Sequence, residues 1–195
     1  MTKGEETRQF IIEQAAPVFN VKGIAATAMS DVMEATKLSK GSLYVHFENK
    51  DVLAAAVVEY NMDQLKKKIL AALDKENTAK AKLRAYIKVL GDALNTPVKG
   101  GCPILYFGME ADDTNQVVRK GISSRIEFMV KTISDIIKKG VKDGEFKPIW
   151  NAREFATLMF SSIEGGIMMS RVAGQNGSME LIKKQLEKII EEHTW

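Results

Sequence analysis

Apolar side chains recur at helical spacing from one end of this 195-residue chain to the other, and no segment alternates with the period of two that a half-buried strand needs. In the first segment Ile11, Ala15, Val18 and Phe19 form one stripe at i, i+4, i+7 and i+8. Pro17 lies inside that stripe; it removes a backbone hydrogen bond and predicts a kink, while Phe19 stays in phase and keeps the helix going. Gly23 supplies the stop. Good helix formers dominate, and there are only 4 prolines. The expectation is an all-α fold of about nine helices.

The helix signals are specific enough to place boundaries. Thr27 suits the N-cap of a second helix over about 28 to 35, Ser39 that of a third over 40 to 46, and Asn49 that of a fourth running to about Leu73. A fifth helix is expected over about 79 to 94, stopping at Asn95-Thr96-Pro97 because the residue before proline avoids the helical region. Gly100-Gly101 reads as a loop, and a sixth helix follows from Pro103 to Ala111. Asp113 with Gln116 resembles a cap for a seventh helix to about Lys142, and Asn151 with Glu154 repeats that arrangement for an eighth, ending before Gly174. The ninth covers about 178 to 192.

Composition narrows the setting. Charged residues are 27% and hydrophobic residues 45%, ordinary for a globular protein. The formal net charge of +3 permits nucleic-acid binding without requiring it. One cysteine, Cys102, allows no intrachain disulfide and suits a reducing compartment. The charged, amphipathic N-terminus does not read as a signal peptide, and no run approaches the ~18 apolar residues of a membrane span. A cytoplasmic protein with no membrane association is expected. Two histidines and one cysteine make a zinc site a poor reading, and neither a metal nor a cofactor is expected.

The informative stretch runs from Thr27 to Lys50, TAMSDVMEATKLSKGSLYVHFENK. Two short helices joined by a tight turn, after a longer one, make a three-helix head in which the last helix enters the major groove. Ser39, Lys40, Gly41 and Ser42 open that helix with small or donor side chains, and a helix N-terminus attracts phosphate. Tyr44 and His46 fall on its outer side, while Leu43 and Phe47 face inward. Residues 1 to 50 carry six basic and six acidic side chains, so binding would depend on where Lys37, Lys40 and Lys50 sit and would weaken steeply with salt. The Lys66-Lys67-Lys68 run reads as a solvated helix face.

Gly23, Thr27 and above all SKGSLYVHFENKDVL resemble the DNA-binding head of tetracycline-repressor-like (TetR) regulators, whose recognition segment reads Ser-Lys-Gly-x-Leu-Tyr-x-His-Phe followed by a turn and a lysine. Ser39, Lys40, Gly41, Leu43, Tyr44, His46, Phe47 and Lys50 meet that pattern. The resemblance covers about the first 55 residues. It implies a helix-turn-helix head over 1–50 and a ligand-binding, dimerising helical body over 51–195. It implies that Thr27 holds a phosphate and that Ala28 offers a methyl contact. Ser39, Lys40, Gly41 and Ser42 would meet bases and backbone, and Tyr44, His46 and Lys50 would anchor phosphates. Val45 stands where some relatives carry an aromatic residue and offers at most a thymine-methyl contact.

For the body, the resemblance implies a cavity for a small-molecule effector, with Tyr86, Cys102, Tyr106, Phe107, Glu110, Phe128, Phe160, Glu164 and Met168 as candidate lining. Plain core packing, with Asp112-Asp113 as a helix cap, is the competing reading for the segment from Gly100 to Asn115. Phe155, Leu158, Met159, Ser162, Ile163 and Gly166 of the eighth helix, with Ile182, Leu186 and Ile189 of the ninth, are candidates for a homodimer interface; burial within one subunit is the alternative. The expected function is a regulator, most simply a repressor, released from a palindromic double-stranded operator by a small molecule. Three other readings stay open. One is a sensor of oxidants or electrophiles acting through Cys102. Another is a helical small-molecule binder without DNA binding. The last is an all-α enzyme using Glu110.

Overall fold

The structure is a computed structural model that describes residues 1–96, 99–111 and 115–195. Among the described residues nine helices follow in order: α1 (Lys3–Lys22), α2 (Met29–Thr36), α3 (Lys40–His46), α4 (Lys50–Leu73), α5 (Ala79–Leu90), α6 (Pro103–Ala111), α7 (Gln116–Lys142), α8 (Ala152–Ala173) and α9 (Gly177–Glu192). The only extended pairing among them is an isolated bridge between Phe146 and Thr194. The fold is all-α, as the periodicity requires. No described helix is long and apolar enough to cross a membrane.

The chain divides into two compact units, 1–65 with 97–123, and 66–96 with 124–195. Two of the three divisions fall inside long helices, α4 and α7, and the third falls between α5 and α6.

In the first unit, α1 begins with a reciprocal cap: the Glu5 amide donates to Thr2 Oγ1 and the Thr2 amide to Glu5 Oε2. The helix passes through Pro17 unbroken and buries Ile11, Ile12, Ala15, Ala16, Phe19 and Asn20. α2 starts one residue later than expected, with Ala28 and not Thr27 at the N-cap. The Thr27 hydroxyl instead donates back to the Gly23 carbonyl at 2.6 Å, and the Asp31 carboxylate accepts the Ala28 amide. Gly100 has a φ of 117°, and a Cβ there would stand 2.5 Å from the Asn20 carbonyl oxygen, so only glycine allows the loop to approach α1 this closely. The Asn20 amide fixes that approach by donating to the carbonyls of Lys99 and Gly101, both at 3.1 Å.

In the second unit, α5 stops at Leu90, four residues before the expected end. Its last peptides are taken by other helices: Asn176 accepts from the Ala93 amide and donates to the Gly91 carbonyl, and Arg171 donates to the Ala93 carbonyl. Tertiary hydrogen bonds thus end the helix before the proline does. Pro97 lies outside the described residues, as do Asp112 and Asp113. The first turn of α7 is capped by Asn115, whose Oδ1 accepts from the Val118 amide. Asn151 caps α8 as expected, and Gly174 ends it in the left-handed conformation. Trp150 packs against Phe146, Phe155 and His193 with centroids 4.7–4.8 Å apart, closing the C-terminal segment over the α7–α8 connection.

Candidate nucleic-acid interface

α3 is a seven-residue helix held from below and capped from its start. Leu43 and Phe47 are buried, 0% and 1% exposed, and join Ile11, Phe19 and Leu53 in the core of the first unit. Burying each such side chain stabilises the fold by roughly 1.5–3 kcal/mol, enough to fix which side of so short a helix faces out. On that outer side lie Lys40, Gly41, Tyr44 and Val45; Tyr44 is 41% and Val45 79% exposed. Ser42 and His46 are half-buried. Ser39 Oγ accepts from the Ser42 amide at 3.2 Å and lies 3.0 Å from the Ser42 hydroxyl, so both serines pre-shape the helix start. Lys37 ends α2 in the left-handed region at φ 60°, which turns the chain sharply into α3. The Lys40 ammonium lies 5.9 Å from the centre of the Tyr44 ring.

Behind this surface, side chains fasten the connection between α1 and α2 to its surroundings. The Lys50 ammonium donates to the carbonyls of Ile24, Ala25 and Thr27 at 2.9, 3.2 and 3.2 Å. The Glu110 carboxylate accepts from the amides of Ile24 and Ala25 at 2.6 and 2.5 Å. Gly23, at φ 84°, leaves room for that carboxylate, since a Cβ there would be 3.0 Å from Glu110 Oε2. Lys22 pairs with Asp31 at 2.8 Å, and this ammonium, followed by the Ala28 amide, holds the Asp31 carboxyl below its usual range. The Arg8 guanidinium lies 4.8 Å from the centre of the Phe47 ring.

Several residues expected at the site have partners within the chain. Lys50 was expected at a phosphate; its ammonium here donates to three carbonyls at the junction of α1 and α2. Thr27 is 1% exposed with its hydroxyl turned inward, whereas Ala28 is exposed. Glu110 was expected in a ligand cavity, but two backbone amides claim it. Asp31 was not among the expected site residues, although an acid three residues after the N-cap Ala28 is a local capping signal. The partner of Glu110 had no local signal, because it lies 85 and 86 residues away in sequence.

The remaining candidates separate in the same way. Tyr86, Cys102, Phe107, Phe160 and Glu164 are buried, Phe128 is half-buried, and Tyr106 and Met168 are exposed. At 2% exposure Cys102 lacks the access that thiol sensing requires. Phe155, Met159, Ile163, Gly166 and Leu186, expected at a dimer interface, are buried in this chain's own core. Gly166 serves the α8–α9 crossing, where a Cβ would stand 2.8 Å from Ile182 Cδ1. Leu158 is 48% exposed, and Ser162, Ile182 and Ile189 are half-buried. Together with Leu181, Gln185 and Leu186 they line a shallow groove of about 260 Å³. Among the described residues no group of His, Cys, Asp and Glu is placed to hold a metal ion.

A small exposed helix with donors on its outer side, braced by two others across a sharp turn, defines a helix-turn-helix DNA-binding regulator. Residues 11–57 match the family of bacterial regulatory proteins of the tetR type, and residues 79–186 match the tetracyclin repressor-like C-terminal domain. The chain belongs to the TetR family of transcriptional regulators. It is 38% identical to a TetR-family transcriptional regulator from Cytophaga hutchinsonii, covering 100% of this chain and 98% of that one, with a TM-score of 0.94. A TetR regulator from Chloroflexus aurantiacus J-10-FL is 34% identical, with the same coverage and TM-score. The HTH-type transcriptional repressor DhaR of Mycobacterium sp. (strain GP1) is 25% identical over 166 residues, 85% of this chain and 82% of the relative.

Proposed function

We propose that this regulator is a cytoplasmic homodimeric repressor that leaves a palindromic operator when its body binds a small molecule. Residues 1–50 would bind DNA, and residues 51–195 would sense the effector and dimerise. The observation that carries the reading is the outer side of α3, where Lys40, Gly41, Tyr44 and Val45 stand clear of a core that fixes the helix through Leu43 and Phe47. Two such helices, one from each protomer, would enter successive major grooves about 34 Å apart. Lys37, Lys40, Tyr44 and His46 would meet phosphates, and Ser39, Gly41, Ser42 and Val45 would approach base edges and backbone. Thr27 and Lys50 act as positioning residues, since their polar atoms are held by carbonyls. Repression draws support from DhaR, a relative named as a repressor.

The second protomer would cover the exposed apolar strip of α8 and α9. On α8, Leu158, Met169 and Val172 are 48%, 51% and 83% exposed, and on α9 Leu181 is 68% exposed. Apolar exposure of this extent on two adjacent helices marks an association surface. The effector would shift the operator-binding equilibrium only by as much as it prefers one conformation over the other.

The test is a fluorescence-anisotropy titration against the chain's own upstream DNA at two salt concentrations. The expected result is two chains, or a multiple, per site, with affinity falling steeply with salt and lost in the Lys40→Ala, Tyr44→Ala double variant. A double variant that binds like the parent rules out the α3 surface as the DNA contact.

A further inference from the structure

The second unit holds a cavity of about 880 Å³ between the C-terminal half of α4, the start of α5, the C-terminal half of α7 and the turn after it. Small-molecule sites typically measure about 300–1,000 Å³. The cavity shares only Phe128 with the ligand-lining residues expected from the family resemblance. Its apolar surface comes from Leu70, Phe128 and Ile136. Three carboxylates line it as well, and each already has a partner. Glu145 accepts the amides of Ala79 and Lys80 at 2.7 and 2.8 Å, Asp143 pairs with Lys139, and Asp135 pairs with Lys131.

Two cations remain. Neither Lys66 nor Lys82 has a carboxylate partner among the described residues, and both are half-buried and line the cavity. The Lys66 ammonium rests 4.4 Å from the centre of the Phe128 ring, which draws it over the apolar surface and away from bulk water. With Lys131 and Lys139 paired to Asp135 and Asp143 and Glu145 held by backbone amides, the two lysines without an ion-pair partner leave the lining, Lys131 included, with one positive charge more than negative, complementary to an apolar body carrying one negative charge.

We propose that this cavity binds an amphipathic monoanion, a carboxylic acid with a hydrocarbon or aromatic body. The carboxylate lies at Lys66 and Lys82, and the body packs on Leu70, Phe128 and Ile136. Losing the carboxylate leaves the two cations without an anion, and a cationic amphiphile is repelled. The site does not depend on the DNA-binding reading, because binding is measured on the protein alone.

The probe is decanoate, titrated calorimetrically into the full chain below its micelle concentration, beside decan-1-ol and decylamine. Charge-assisted hydrogen bonds contribute about 1.5–3 kcal/mol each, so decanoate should bind saturably, one per chain, at least about tenfold more tightly than the alcohol or the amine. The K66Q/K82Q variant should lose about tenfold or more in decanoate affinity and its preference over the alcohol. K67Q/K68Q removes the same charge from exposed positions of α4 and should change neither. Equal binding of acid and alcohol, an unaffected K66Q/K82Q, or an equal loss in K67Q/K68Q would each overturn the assignment. Methyl NMR of the unsubstituted protein reads the same site without a variant. Decanoate should shift the Leu70 and Ile136 methyls, and shifts confined to other methyls would refute the location.

Discussion

Removing the Glu110 carboxylate tests whether the connection between α1 and α2 is held from α6. That carboxylate accepts two amide hydrogen bonds, from Ile24 in a partly buried position and from Ala25 in an exposed one. In Glu110→Ala the Ala25 amide turns to water at little cost. The Ile24 amide does not have that freedom, and a donor deprived of a charged acceptor costs about 1–3 kcal/mol. The expected loss is therefore about 2 kcal/mol, or roughly 4–8 °C in melting temperature for a chain of this size. Glu110→Gln keeps the shape and one acceptor oxygen but turns an NH₂ towards one of the amides, so its loss should be smaller. The decisive assay is amide hydrogen exchange, which reports local opening. Exchange at Ile24 and Ala25 should quicken by about tenfold or more in Glu110→Ala, since 1.4 kcal/mol is a factor of ten. DNA affinity should fall with it, because Lys50 holds the carbonyls of the same two residues, Ile24 and Ala25. A melting point lowered without faster exchange at Ile24 and Ala25 would refute the reasoning, because the loss would then arise elsewhere.

Other substitutions probe the remaining parts. Lys40→Ala should flatten the dependence of log affinity on log salt by about 1.8, the loss of one phosphate contact from each protomer of the bound dimer, whereas Lys50→Met should weaken binding with the slope unchanged. Anisotropy titrations over a salt series read both. Asp31 has its pKa lowered first by Lys22 and then by the Ala28 amide, so the folded state favours its ionised form. Its contribution is fully present above the ordinary value of 3.8 and is lost as pH falls below that towards the folded value. Asp31→Asn should therefore lower the melting temperature near neutral pH and narrow its gap to the parent in acid. Gly140→Ala would bring a Cβ to 2.3 Å from the Phe146 ring and 2.7 Å from Ala79 Cβ. Overpacking of this kind costs about 1–3 kcal/mol, and the gain of about 1 kcal/mol from replacing a helical glycine offsets only part of it. A urea midpoint above the parent's would refute that packing.

How much could be read in advance follows from the range of each interaction. The α3 cap by Ser39, the inward turn of Leu43 and Phe47 and the α8 cap by Asn151 depend on residues within four positions of one another, and sequence spacing shows them directly. The end of α5 depends on Asn176 and Arg171, 78 to 85 positions away, and the local pattern overran it by four residues. Lys50, expected at a phosphate, donates here to three backbone carbonyls. A lysine after a recognition helix is equally compatible with phosphate and with carbonyls 23 to 26 residues earlier. Only the fold brings those carbonyls to it.

α8 shows the same limit in another form. Its apolar residues surround much of the helix, so periodicity announces burial on more than one side without saying against what. Phe155, Met159, Ile163 and Gly166 recur three or four positions apart and face the chain's own core. Leu158, Met169 and Val172 occupy another side, at 158, 158+11 and 158+14, and remain exposed. The two stripes differ little in composition, and both would serve equally well as core. They are separated by the close crossing of α9, which passes Gly166 near enough that Ile182 and Met179 fill the space of a Cβ. That glycine lies on the inward stripe, so α9 crosses on the side of Phe155, Met159 and Ile163, and Leu158, Met169 and Val172 stay exposed.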